Sequence, residues 1–222
     1  MNLLSEYLIH QGISQEALIL ILMLPIIATV IAFARQIIGI KGFGIYTPLI
    51  ISFAFLALGL KYGLMIFLIV ILIGSLMRFL VKGAHLLYLP RMAIIVTGVT
   101  LATLIFLLFS AYFDGVNLTD TAVSVFAVLV MITLVEKFIA AQIERGTREA
   151  IFLTIETLIL STVCFWLASW TWLQQFVLSF CLWIIIGSFI INFLLGKWTG
   201  LRLSEYYRFR EVLRHVESPQ KK

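Results

Sequence analysis

The sequence predicts an all-α fold: a polytopic membrane helical bundle of seven transmembrane helices, with the amino terminus outside and the carboxyl terminus in the cytoplasm. Three observations carry this. First, the 222 residues are 62% hydrophobic and 12% charged, where a soluble domain has about 45–50% and 25%. A soluble fold of this length could not cover so much apolar side chain with so few polar ones. Second, the apolar residues fall into runs of about 20, the number an α-helix needs to cross about 30 Å of hydrocarbon. These runs are apolar on all sides, unlike the strands of a membrane barrel, and a backbone in lipid must satisfy its own polar groups, so each run is helical. Third, the basic residues fall in alternate connections, as a one-sided positive bias requires.

Taken in order, residues 1–16 form an outer-side segment in which Leu3, Leu4, Tyr7 and Leu8 either make one face of a helix lying on the membrane or belong to a disordered end. No Lys or Arg precedes the first apolar run, so the positive region of a cleavable signal peptide is missing. A seven-helix domain over 17–195 follows, with spans expected at 17–35, 44–60, 62–81, 91–113, 120–138, 148–169 and 172–195. The second is the weakest, because Gly42, Gly44, Pro48 and Gly59 punctuate it and its apolar core runs only from Ile45 to Leu58. It reads either as a full span or as a broken or re-entrant helix shielded by protein. Residues 196–222 form a basic cytoplasmic tail. In it Leu203, Tyr206, Phe209, Leu213 and Val216 recur near helical spacing, with Arg202, Arg208, Arg210 and Arg214 between them, as in an amphipathic surface helix.

Charge sets the orientation. Arg35 and Lys41 follow span 1; Arg78, Lys82 and Arg91 follow span 3; Lys137, Arg145 and Arg148 follow span 5; seven more basic residues lie in the tail. Seven spans put 15 of the 16 basic residues on one side, with only Lys61 opposite, beside Asp114 and Asp120. That side is the cytoplasmic one. The net charge of +5 therefore points to anionic lipid at the cytoplasmic face and not to nucleic acid. The expected location is a prokaryotic cytoplasmic (inner) membrane.

Three stretches carry more than hydrophobicity. Gly39 to Pro48 holds Gly42, Gly44, Thr47 and Pro48. It reads as a tight interhelical turn with a helix start, or as a broken-helix site whose free N-terminus faces an anion. Arg78 to Arg91, with Pro90 opening span 4, reads as a basic anchor touching lipid headgroups. Phe126 to Lys137 and Glu144 to Ala150 place Glu136 and Lys137 at the end of one span and a charged loop before the next.

These motifs together resemble a known family. Gly-Ile-Lys-Gly-Phe-Gly at 39–44 with Thr-Pro-Leu-Ile at 47–50, Leu-Pro-Arg-Met at 89–92, Thr-Leu-Val-Glu-Lys at 133–137, Glu-Arg-Gly-Thr-Arg-Glu-Ala at 144–150 and the terminal segment 199–210 occur in the order and spacing of the seven-helix membrane domain usually fused to an inactive transglutaminase-like domain. The resemblance covers roughly residues 20 to 213. It implies seven spans and an association with cytoplasmic ATP-grasp amino-acid ligases. A more distant similarity is to the integral membrane subunit of poly-γ-glutamate synthesis. The chain departs from the pattern at Ala127 and Lys137, where proline and arginine are expected, and any role of the fused domain is expected to come from another chain or to be absent.

Among single residues, Glu156 stands out, because a carboxyl at the centre of a span costs on the order of 2.5–3.5 kcal/mol on insertion scales. It is expected to be protonated, or paired with a neighbouring helix or water, and either to snorkel or pack with hydrogen bonds or to line a cavity reached from the cytoplasm. By depth, Lys137 and Arg78 are candidate partners. Segments 49–80 and 129–167 also align loosely, with Gly59 beside Gly146, as an inverted repeat would. Cys164 and Cys181 lie in apolar runs and read as packing residues. His10, His85 and His215 are far apart, and no phosphate loop, metalloprotease helix or nucleophile elbow is present. No enzyme activity, cofactor or metal is expected. The expected role is a non-catalytic membrane scaffold for a cytoplasmic ligase or a related amino-acid- or peptide-modifying system. The alternative is a transporter or export channel for an anionic amino acid, peptide or polymer.

Overall fold

A computed structural model describes residues 10–12, 14–84, 87–114 and 121–197. The described residues form helices and no strand: α1 (Gln15–Phe33), α2 (Tyr46–Leu58), α3 (Leu60–Val81), α4 (Tyr88–Asp114), α5 (Thr121–Glu144), α6 (Thr147–Ala168), α7 (Thr171–Ser179) and α8 (Cys181–Gly196). Leu3, Leu4, Tyr7 and Leu8, His85, Asp120 and the whole expected tail helix lie outside the described residues.

Each of the seven expected spans has a helical counterpart. Four helical segments, Gln15–Ile38, Leu60–Val81, Tyr88–Phe109 and Thr147–Ala168, are long and apolar enough to cross a membrane, and α7 with α8 makes a fifth if the bent pair is one span. Large side chains on them stand open: Ile21, Leu72, Phe79, Leu108, Trp183 and Phe189 are all more than 60% exposed. That much contiguous apolar surface is incompatible with water and is the ordinary condition of a lipid-facing helix. The protein is an integral, multi-pass membrane protein.

Two compact units can be distinguished: residues 46–166, carrying α2 to α6, and the chain on either side of them, carrying α1, α7 and α8. In the second of these, Ser14 caps α1 by accepting the Ala17 N–H at 3.3 Å. Pro25 sits inside α1, where Thr29 Oγ1 donates to its carbonyl at 2.7 Å. The helix then widens into a π-turn over Ala34–Ile38 and stops at Gly39, whose φ of 91° ends helical hydrogen bonding. α1 packs against α7 and α8 and buries Leu18, Leu22, Met23, Ile27 and Ile31 along one stripe. Asn192 on α8 donates to Thr29 Oγ1 at 2.8 Å and to the Ser188 carbonyl at 2.9 Å.

The last expected span is not one straight helix. α7 and α8 meet at an angle of 100°, with the break at Phe180 (φ −125°, ψ 37°). Neither proline nor glycine, the usual causes of a kink, stands there. The sequence therefore gave no signal for it.

In the unit of α2 to α6, α3 touches α2, α4 and α5, and α5 touches α2, α3 and α4. Phe55 and Phe67 meet edge to face at 6.4 Å. Close approach relies on missing side chains. A Cβ on Gly74 of α3 would lie 2.8 Å from Val135 Cγ1 of α5, and one on Gly98 of α4 would lie 2.7 Å from Met77 Sδ of α3. α2 has only 13 residues, about 20 Å of helix against about 30 Å of hydrocarbon. The weakest expected span is thus also a short one. α5 runs beyond its expected end at 138 to Glu144. The stripe Met131, Leu134, Val135, Phe138, Ile139 and Gln142 stays buried at helical spacing, and Ala140 and Ala141 are strong helix formers.

Candidate functional site

Polar side chains come together at the basic ends of α3 and α5. Arg78 stands on the last turn of α3, at the end of its apolar run. Its Nη1 donates to Gln142 Oε1 at 2.6 Å, and its Nη2 approaches the Gln142 carbonyl at 3.4 Å. Gln142 is 3% exposed, and its Nε2 reaches Ser75 Oγ at 3.4 Å. One buried amide thus accepts from α3 with its oxygen and donates to α3 with its nitrogen. This satisfies a group that would otherwise be costly to bury.

Arg91 lies half-buried in the first turn of α4, with its Nε enclosed by protein. One guanidinium thus stands at the end of α3 and another at the start of α4. Guanidinium groups pair with anions and act as neither nucleophile nor general base. Leu87 and Leu89 before Arg91 are 81% and 78% exposed, and Phe79 and Leu80 are 75% and 61% exposed.

The other expected residues are placed as follows. Glu136 and Lys137 are exposed on α5, within the helix and not in the loop that follows it. Glu156 is half-buried on α6 and is engaged with a neighbour. Around it Thr154, Thr157 and Ser161 are buried and return their hydroxyls to the carbonyls four residues earlier, a local satisfaction common for hydroxyls inside helices. Gly42 and Gly44 belong to the turn after α1, while Tyr46 to Pro48 open α2. Gly44 has a φ of 80°, and Pro48 is buried in the first turn of α2, where its missing N–H costs nothing. Arg202, Arg208, Arg210 and Arg214 are outside the described residues.

Gln142 and Ser75 were missed by sequence reasoning. The available signal was an amide in the same helical stripe as Leu134, Val135 and Ile139, visible only once α5 is taken past residue 138. Among the described residues no group of His, Cys, Asp and Glu could hold a metal ion.

A family profile described as seven transmembrane helices usually fused to an inactive transglutaminase matches residues 4–213. No curated protein and no solved structure matches the chain.

Proposed function

This chain belongs to the family of seven transmembrane helices usually fused to an inactive transglutaminase, and from that premise we propose that it is a non-catalytic membrane scaffold. It holds a cytoplasmic partner at the membrane surface: an ATP-grasp ligase, a related amino-acid- or peptide-modifying enzyme, or a transglutaminase-like protein on another chain. One observation carries the reading. In the family the helices are usually joined to a transglutaminase that is inactive, so what the helical domain supplies to that partner is attachment and placement. The one-sided basic face supports it further, since Arg78, Arg91, Arg145 and Arg148 lie at connections that the charge pattern assigns to the cytoplasm. The orientation, the tail helix as a docking segment and the cytoplasmic (inner) membrane location belong to the same proposal. Affinity purification of the full chain from native membranes in mild detergent tests it. Co-purification of a ligase or a transglutaminase-like protein is the expected result. Recovery of the chain with no stoichiometric partner overturns it.

A second reading, an export or transport component for an anionic amino acid, peptide or polymer, is favoured by one feature. Gly59 and Gly146, paired by the loose internal repeat, both stand immediately before a 22-residue helix with positive φ, 78° and 90°. In both cases the glycine carbonyl accepts the N–H four residues on, from Gly63 and Ala150. Only a residue without Cβ turns the chain there cheaply. Two such helix–glycine–helix units, run in opposite directions by the charge pattern, are the plan of an inverted repeat. Reconstituted vesicles presented with acidic amino acids and glutamyl peptides test this reading, and no uptake across the panel removes it.

A further inference from the structure

We propose that α7 does not cross the membrane but lies along its external water–lipid interface, and that α8 alone makes the last crossing. The external assignment rests on the charge-based orientation. The in-plane placement does not, and it stands whether or not a cytoplasmic partner docks. Three observations converge. The first is the 100° bend between α7 and α8. α8 carries no charged residue over its 16 residues, about 24 Å of helix, and is followed by Lys197, whose flexible stem reaches the headgroups. Membrane helices tilt by about 20° on average, so a helix turned 100° from α8 lies within about 30° of the membrane plane. The second is that the surface of α7 divides into three rows. Thr171, Gln175 and Ser179, spaced four apart, form a polar row in which Thr171 and Gln175 are exposed. Trp172 and Phe176, continued by Phe180 at the break, form an aromatic row beside it, 43% exposed or more. Val177 and Leu178 lie on the remaining side and are buried, and α7 packs against α1. A helix inside hydrocarbon meets only lipid or protein and has no use for an exposed polar row. A helix at the interface has water on one side, lipid on another and protein on the third. The third is the aromatic row itself. Trp170 meets Trp172 at 6.1 Å, Trp172 stacks on Phe176 at 5.6 Å, and Phe176 meets Phe180 at 5.1 Å. Tryptophan collects at membrane–water interfaces, where its amphipathic ring sits at headgroup level. Gln174 Nε2 donates to the Ala168 carbonyl at 2.8 Å and so closes the turn that leads into α7.

The test is cysteine labelling of the full chain in sealed native membranes with a membrane-impermeant maleimide. Cys164 and Cys181 are buried, so the unsubstituted chain gives the background. Thr171→Cys, Gln175→Cys and Ser179→Cys should label. Trp172→Cys, Phe176→Cys and Phe180→Cys should label about tenfold more slowly or worse, because a thiol held in lipid loses its reactive thiolate and each pKa unit is a factor of ten. Along a helix axis Ser179 stands about 12 Å from Thr171. If α7 ran into the bilayer, labelling would fall off along the sequence on every face, and that pattern overturns the proposal. Protection of all six positions overturns it as well, since α7 would then lie inside lipid or protein. Labelling of all six places α7 in water and does the same. Labelling of the polar row only after the membranes are permeabilised overturns the external assignment alone, which separates a failed orientation from a failed in-plane helix. If the aromatic variants do not fold, the polar row decides by itself. Thr171→Cys and Ser179→Cys should then label at comparable rates, and a rate at Ser179→Cys lower by about tenfold or more counts against the in-plane helix.

Discussion

Replacing Gln142 by leucine isolates a strong polar contact between α3 and α5 at their basic ends. The change keeps nearly the same volume, so it opens little cavity. It removes the 2.6 Å bond to Arg78 Nη1 and the longer 3.4 Å contact with Ser75. The 3.4 Å approach of Arg78 Nη2 to the backbone carbonyl at 142 survives it. A hydrogen bond to a charged group contributes about 1.5–3 kcal/mol in soluble proteins. Side-chain bonds between membrane helices average about 0.6 and reach about 1.7 kcal/mol. Arg78 is half-buried, so water remains available to its guanidinium once the amide is gone. The membrane range therefore governs, and a loss of ~1 kcal/mol is expected. Denaturation in mixed micelles, followed by tryptophan fluorescence, measures it for Gln142→Leu, Arg78→Gln and the double variant. The pair should couple by ~1 kcal/mol. Additivity within about 0.3 kcal/mol, the ordinary scatter for independent sites, would refute the claim that these two side chains support each other.

Three further outcomes are expected. Gly74→Ala places a methyl 2.8 Å from Val135 Cγ1 and should destabilise by about 1–3 kcal/mol; adding Val135→Ala should recover part of the loss, and no recovery would count against direct contact. Asn192→Leu removes the 2.8 Å bond to Thr29 and should cost about 0.6 kcal/mol in the same denaturation assay, with Thr29→Val adding nothing to it. A topology reporter inserted at residue 116 should be external and one placed after residue 200 cytoplasmic; the opposite labelling by a membrane-impermeant thiol reagent would reverse the orientation read from the basic residues.

The amino-acid sequence by itself determined that the chain lives in lipid and where its helices run, because both depend on local quantities. A run of about 20 apolar residues leaves water as a helix whatever its neighbours do. This is why the segments around 17–35, 62–81, 91–113 and 148–169 correspond closely to α1, α3, α4 and α6. The short second helix was marked in advance by Pro48 and Gly59. The tertiary structure decided which polar groups meet. Glu156 drew attention because a carboxyl in an apolar run is conspicuous in one dimension. Gln142, 64 residues from Arg78, was not, because an amide beside a loop looks ordinary until the rotation of α5 turns it toward α3. Hydropathy states the cost of burying a polar group but not the partner that offsets it. That partner follows from the azimuth and depth of two helices, and from close approaches such as Gly74 against Val135 that set them. The 100° bend at Phe180 is of the same kind: neither proline nor glycine stands there to mark it.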